Sequence, residues 1–186
     1  MPALPIRAHD ALILVDVQRD FCAGGALPVR HGDDIVPLLN DWIKAATACG
    51  ARIILSRDWH PPDHISFKPQ GGRWPPHCVQ NSAGAGFHSQ LAIPQAAQVV
   101  DKGTNRTQDN YSDFDGTGLA EQLKRQGVQR LWIGGLALDV CVRATVLDAC
   151  RHGFEVHLIS DATRPLDDEK GRKAIQEMRA AGSLIE

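Results

Sequence analysis

Four short apolar runs, with helical patterns set between and after them, constrain this chain more than any other feature. They are Ala11 to Asp16, Arg52 to Ser56, Gln129 to Ile133 and Glu155 to Ser160. Each is nearly continuous in apolar residues, the pattern of parallel strands buried on both faces. A weaker run, Ala97 to Asp101, ends at Lys102-Gly103. Helical periodicity extends from about Asp33 to Cys49, with Asp33 as N-cap, Pro37 in the first turn and Gly50 as the stop. It returns over Gly118 to Gln126, Asp139 to His152 and Asp167 to Ala181, each closed by a glycine, and Ser183 to Ile185 adds a short final strand. Alternation of this kind predicts a doubly wound α/β fold, a mainly parallel six-stranded sheet with helices on both faces.

At 186 residues the chain suits one compact domain, 1–186. Residues 58–94 form its longest irregular stretch, and the part from Pro61 to Pro94 is rich in Pro, Gly and His. Loops of that length usually carry function. A net charge of −2 offers nothing to nucleic acid or an anionic membrane, and no apolar run reaches membrane-spanning length. Met1 to Asp10 lacks the apolar core of a secretory leader. The five cysteines form no framework spacing, which suits a reducing compartment and a cytoplasmic protein.

Open α/β sheets bind ligands beyond the carboxyl ends of their strands. Asp16, Asp58, His60, Lys102 and Cys141 all fall there, far apart in sequence. Gly134-Gly135-Leu136-Ala137-Leu138-Asp139-Val140-Cys141 runs from a strand into a helix and sets one thiol in the predicted first turn. Free N–H groups and the positive dipole end favour a thiolate there, and the same groups can hold an oxyanion. Asp16 is read as a base for that thiol, or else as a cap or ion-pair partner. Lys102 is read as the charge that keeps Asp16 ionised, or else as an ordinary lysine. Asp58 and His60, two apart on extended chain, point the same way, and His77 joins them if the loop folds back. Two His and a carboxylate suit zinc or ferrous iron, though loop hydrogen bonding serves the same residues. His64 and Ser66 are candidates to complete the shell. Phe21, Trp74 and Tyr111 are placed to stack a flat ring or to pin loops. Cys22, Cys49 and Cys150 read as structural, and Cys78, next to His77, is set aside.

In order along the chain, Asp16 to Leu27, Asp58-Trp59-His60-Pro61, Trp74 to Asn81, Lys102 to Asn105, Tyr111-Ser112-Asp113-Phe114 and Gly134 to Cys141 resemble one family. It is that of the nicotinamidases (pyrazinamidases), within the isochorismatase-like cysteine hydrolases. The resemblance implies hydrolysis of nicotinamide, and of pyrazinamide, to the acid and ammonia, in NAD salvage. It implies a triad at Asp16, Lys102 and Cys141, and oxyanion-hole amides at Ala137 and Cys141. It also implies a metal held by Asp58, His60 and His77, with Ser66 or His64 as fourth ligand, and a ring held by Phe21, Trp74 and Tyr111. One divalent ion is expected, zinc first, with iron or manganese also suited to the donors. The small-molecule substrate is the expected partner, on a monomer or small homo-oligomer. Leu138 departs from the family, which commonly has Thr at that place. A related amidase acting on another small amide is the alternative, and a non-enzymatic binding module is the more distant one.

Overall fold

The computed structural model describes residues 4–186, so Met1 to Ala3 of the N-terminal segment lie outside the described residues. Its elements are β1 (Asp10–Val15), α1 (Val36–Cys49), β2 (Arg52–Asp58), β3 (Gln98–Lys102), α2 (Leu119–Arg125), β4 (Arg130–Leu136), α3 (Arg143–Arg151), β5 (Glu155–Arg164), α4 (Asp168–Ala180) and β6 (Leu184–Ile185). The six strands form one parallel sheet in the order β3-β2-β1-β4-β5-β6. The order reverses between β1 and β4, which opens a crevice beyond their carboxyl ends.

Every residue of β1 is buried, and its side chains alternate between two cores. Leu12 and Leu14 pack with Leu39, Trp42 and Ile43 of α1, while Ala11, Ile13 and Val15 pack with Leu123, Val146 and Met178 of α2, α3 and α4. Two-sided burial explains the unbroken apolar runs in the sequence.

Several boundaries differ from expectation: β2, β4 and β5 run on to Asp58, Leu136 and Arg164, so Asp58 closes its strand rather than following it. The first helix begins at Val36 after a 3-10 turn over Gly32–Ile35. Asp33 therefore caps nothing. Its carboxylate accepts instead from the Ala23 N–H at 2.9 Å and pairs with His88 at 3.2 Å. Lys102 closes β3 rather than following it. The helix expected from Asp139 opens with a π-type turn over Leu138–Val142, and regular α-helix starts only at Arg143. Cys141 thus lies inside an irregular turn.

Gly135 lets this junction form. Its φ is +126°, and a Cβ there would stand 2.1 Å from the Val15 carbonyl oxygen. Only glycine lets β4 approach the end of β1 so closely.

Candidate active site

Asp16 follows β1 with φ +50°, a left-handed conformation that costs a non-glycine residue of order 1 kcal/mol. The bend turns its carboxylate into the crevice, fully buried. Ser56 on β2 donates to Asp16 Oδ1 at 2.8 Å, and Lys102 Nζ lies 2.7 Å from Oδ2. Lys102 also pairs with Asp58 Oδ1 and stands 3.5 Å from Cys141 Sγ. The acid, the amine and the thiol expected from three separate segments therefore meet around one ammonium.

Burial pushes Asp16 up to about 6, although Lys102 pulls it down. Burial alone would also raise Asp58, but Lys102 and His60 outweigh it and hold that carboxyl below the usual range. Desolvation works against the Lys102 ammonium, yet Asp16 and Asp58 more than compensate and keep it charged. For Cys141 the expectation of an acidic thiol is corrected. Burial drives it well above the ordinary thiol value; Lys102 pulls it back by less than that, and Asp16 and Asp58 oppose the thiolate further. The resting group is a thiol beside a carboxylate. Its position in a buried turn, rather than at an open helix end, is the physical reason.

Asp58, His60 and His77 offer ligand atoms that all lie within 4.8 Å of one another, and all three are buried. His77 Nδ1 meets the Pro75 carbonyl at 2.7 Å and His60 Nδ1 the His77 carbonyl at 3.2 Å. Each imidazole is thereby oriented through Nδ1, with Nε2 left as the available donor. Burial pulls His60 down to about 4, so its ring is neutral and its lone pair free. This donor set fits a divalent ion with nitrogen and oxygen preferences. Gly103 leaves room for it, since a Cβ there would stand 2.7 Å from His60 Nε2.

His64 and Ser66 sit beside this cluster but are bonded to each other, Nδ1 to Oγ at 2.7 Å. His64 Nε2 is also engaged, by the Gln108 carbonyl at 3.0 Å. Phe21 and Trp74 flank His77, with ring centroids 5.5 and 6.4 Å away. Trp74 donates to the Tyr111 hydroxyl at 3.1 Å, so the three expected ring-binding aromatics are linked through His77 and Trp74. Ala137 precedes the π-type turn, and its carbonyl accepts from Val140 and Val142 at 3.1 Å each. Its N–H precedes the turn and that of Cys141 lies within it, among the first donors of the helix that continues as α3, where acceptors are short. Leu138 points away from the crevice into the core, with Cδ2 3.5 Å from where a Gly171 Cβ would stand.

Sequence reasoning missed several residues that shape this centre. Gln18 clamps the β2 end, accepting from the Asp58 N–H at 2.8 Å and donating to the Asp58 carbonyl at 2.8 Å. Asp20 accepts from the Cys78 N–H at 2.7 Å and so anchors the loop behind His77. Phe67 lies among His60, His64 and His77 at 5.4 to 5.7 Å, an apolar floor for the cluster. Ser56 and Asp113 are buried against Asp16. An aspartate just before Phe114 in an otherwise loop-like segment was the one available signal for Asp113. Ser56, a serine inside an apolar strand, gave none.

The isochorismatase domain family matches residues 10–185 of the sequence. The chain belongs to the isochorismatase family. Among curated members, the nicotinamidase of Escherichia coli (strain K12) is 40% identical over 198 residues, covering 94% of this chain and 93% of that protein. Among solved structures, the pyrazinamidase of Pyrococcus horikoshii in complex with zinc superposes with a TM-score of 0.93 at 48% identity, covering 96% of this chain and 98% of that one. PnC1 from L. infantum, in complex with nicotinate, gives a TM-score of 0.90 at 36% identity, over 98% and 96% of the two chains. The α/β isochorismatase-like fold is thus shown, and this family member is an amidohydrolase. No helix among the described residues is long and apolar enough to cross a membrane.

Proposed function

We propose that this single-domain protein is a metal-dependent cysteine amidohydrolase that converts nicotinamide to nicotinate and ammonia, hydrolyses pyrazinamide as well, and serves NAD salvage in the cytoplasm. The observation that carries the reading is the convergence of Cys141, Lys102 and Asp16 on one side of Asp58, with His60 and His77 on the other. The nicotinamidase and pyrazinamidase relatives supply the substrate class.

Asp16 takes the thiol proton from Cys141, and Lys102 holds the charge of Asp16 while it does so. The sulfur attacks the carboxamide carbon, forming a C–S bond as the carbonyl π electrons move onto oxygen. The Ala137 and Cys141 N–H groups stabilise that oxyanion, an effect typically worth about 3–4 kcal/mol per donor. The tetrahedral species then collapses, the C–N bond breaks, and the proton held by Asp16 passes to the nitrogen so that ammonia leaves. Water, deprotonated by Asp16, releases nicotinate from the thioester and the thiol regains its proton. Asp58, His60 and His77 hold one divalent ion, zinc before iron or manganese, with His64 or Ser66 nearest for a fourth place. An ion held there would supply a Lewis-acidic anchor for the ring nitrogen. Phe21, Trp74 and Tyr111 enclose the ring and fix the amide before the sulfur, which removes an encounter entropy of up to about 7–11 kcal/mol.

The test is ammonia release from nicotinamide by the native protein, by Cys141→Ala, and by the native protein after chelation, with metal content measured in each. The native protein should turn over, Cys141→Ala should be inert with its metal retained, and chelation should abolish turnover. Nicotinamide turnover that survives chelation would overturn the metal dependence, and no ammonia from nicotinamide by the metal-loaded native protein would point to an amidase acting on another small amide.

A further inference from the structure

Asp109 takes no part in the chemistry above, and its side chain is exposed. Its carboxylate nevertheless accepts from the Tyr111 hydroxyl at 2.6 Å, its one side-chain hydrogen bond among the described residues. The Tyr111 oxygen accepts in turn from the Trp74 indole N–H at 3.1 Å. Three groups thus form a hydrogen-bond relay that runs from solvent into the aromatic wall beside His77. The main chain that presents the carboxylate is anchored. The Gln108 carbonyl meets His64 Nε2 at 3.0 Å, and the Arg106 carbonyl accepts from the Ile65 N–H at 2.9 Å.

Hydrogen counting gives the relay a direction. A phenol has one hydrogen to give, and an indole N–H can only donate. Tyr111 gives its hydrogen to Asp109, so what it turns toward Trp74 is a lone pair. A carboxylate at the far end polarises the hydroxyl and strengthens both bonds. Burial pushes the Tyr111 phenol up to about 12 and the bond to Asp109 adds to the rise, so the hydrogen stays between them. Without the carboxylate the hydroxyl turns freely, and some of its rotamers set donor against donor at Trp74. The Trp74 main chain is held by Ser66 and Lys68, at 3.0 and 2.7 Å, and the Arg73 guanidinium covers its ring at 4.4 Å from the centroid. What Tyr111 decides is the tilt of the indole edge.

The geometry points to Asp109 as a positioning residue that holds Tyr111, and through it Trp74, in the orientation that encloses the substrate ring. The inference rests on the reading above that these two aromatics hold the ring. An exposed contact of this kind adds little to folding. Its value lies in setting two half-buried side chains before the ring arrives, since ordering them at the moment of binding weakens affinity. A different role for Asp109 would have a different signature. Its carboxylate shares a cluster with donor atoms of His60 and His64, all within 4.8 Å of one another, so a group acting on the ion would change metal affinity instead.

The test compares metal-loaded wild type, Asp109→Ala, Tyr111→Phe and the double variant. With nicotinamide, Asp109→Ala should raise KM about tenfold and leave kcat within about threefold, because the wall holds substrate and transition state alike. In the Tyr111→Phe background, where no hydroxyl remains to orient, Asp109→Ala should add less than about twofold. Asp109→Glu, which keeps the acceptor, should recover most of the loss. A second readout needs no substrate. The indole N–H proton NMR signal of Trp74, identified by its loss in Trp74→Phe, should shift and exchange with solvent at least about tenfold faster in Asp109→Ala. Metal affinity, measured by competition with a chromophoric chelator, should stay the same. An unmoved Trp74 signal, KM changes that multiply in the double variant, or a fall in metal affinity in place of the KM effect overturns the inference. If nicotinamide is not hydrolysed at all, the substrate reading fails while the Trp74 signal still decides whether Asp109 sets the wall.

Discussion

Lys102→Met removes the ammonium on which the whole centre is balanced. Nζ lies 2.7 Å from Asp16 Oδ2 and also pairs with Asp58, and none of the three side chains is more than 7% exposed. At an effective dielectric of about 20, one contact at that distance is worth roughly 6 kcal/mol before desolvation is counted against it. The variant can avoid losing that much, because a carboxylate deprived of its cation can take up a proton. Because Asp16 already titrates at about 6, that uptake costs only about 1–2 kcal/mol near pH 7 and about 3 kcal/mol near pH 8. The smaller cost wins, so the expected loss reaches about 3 kcal/mol near pH 8, the lower end of the roughly 3–5 kcal/mol typical of removing one partner from a buried pair. The dependence on pH has a definite sign. Asp16 is already raised to about 6, and the variant raises it further above its unfolded value. Such a group contributes its stability in full below the unfolded value and loses it as pH rises through the folded one. The deficit should therefore be small near pH 5 and approach its full size by about pH 8. Urea unfolding of both proteins at the two pH values, with chelator present so that metal affinity does not enter, measures it. Activity near pH 7 should drop by about 10²–10⁴, since a protonated Asp16 cannot accept the thiol proton. A variant within about 1 kcal/mol of wild type near pH 8, or one whose deficit is larger near pH 5, would refute the reasoning.

Two other outcomes follow from the same geometry. Gly103→Ala adds a methyl 2.7 Å from His60 Nε2 at a φ of +64°, so metal affinity measured by competition with a chromophoric chelator should fall about 10–100-fold. Unchanged affinity would mean that His60 Nε2 is not a ligand atom. Because Asp16 must be ionised to act as base and burial holds it at about 6, kcat/KM should lose about tenfold for each pH unit below that value. Asp16→Asn should abolish activity at every pH, and residual turnover that still titrates near 6 would assign the limb to another group.

The sheet was legible in the sequence because strands covered on both faces carry unbroken apolar runs, as β1 does. Boundaries were less so. Asp33 has the chemistry of an N-cap, but Ala23 and His88 claim its carboxylate, and a tertiary contact overrides the local preference. The π-type turn over Leu138–Val142 depends on the close approach of β4 to Val15 at Gly135, a long-range contact that no local pattern encodes. At the site, the residues that carry charge at strand ends were visible because a charge there demands a reason. Gln18 and Phe67 were not, since an amide and a phenyl ring have ordinary uses everywhere and become specific only once folding sets them against Asp58 and His77.

The Cys141 thiol shows where local reasoning misleads most. Position near a helix start and beside a lysine argues for a thiolate, and each effect is present as a tendency. Neither is large enough. Removing the sulfur from water costs more than Lys102 returns, because that ammonium is already shared by Asp16 and Asp58, whose negative charges oppose the thiolate in their turn. The centre therefore keeps its nucleophile protonated and places the base within reach, with donor atoms of Asp16, Asp58 and Cys141 all within 4.8 Å of one another. A thiol held in this form resists adventitious oxidation, which depends on thiolate character and exposure. It becomes a nucleophile only as Asp16 takes its proton. The pH dependence of this protein is accordingly governed by the carboxyls around the sulfur rather than by the sulfur itself.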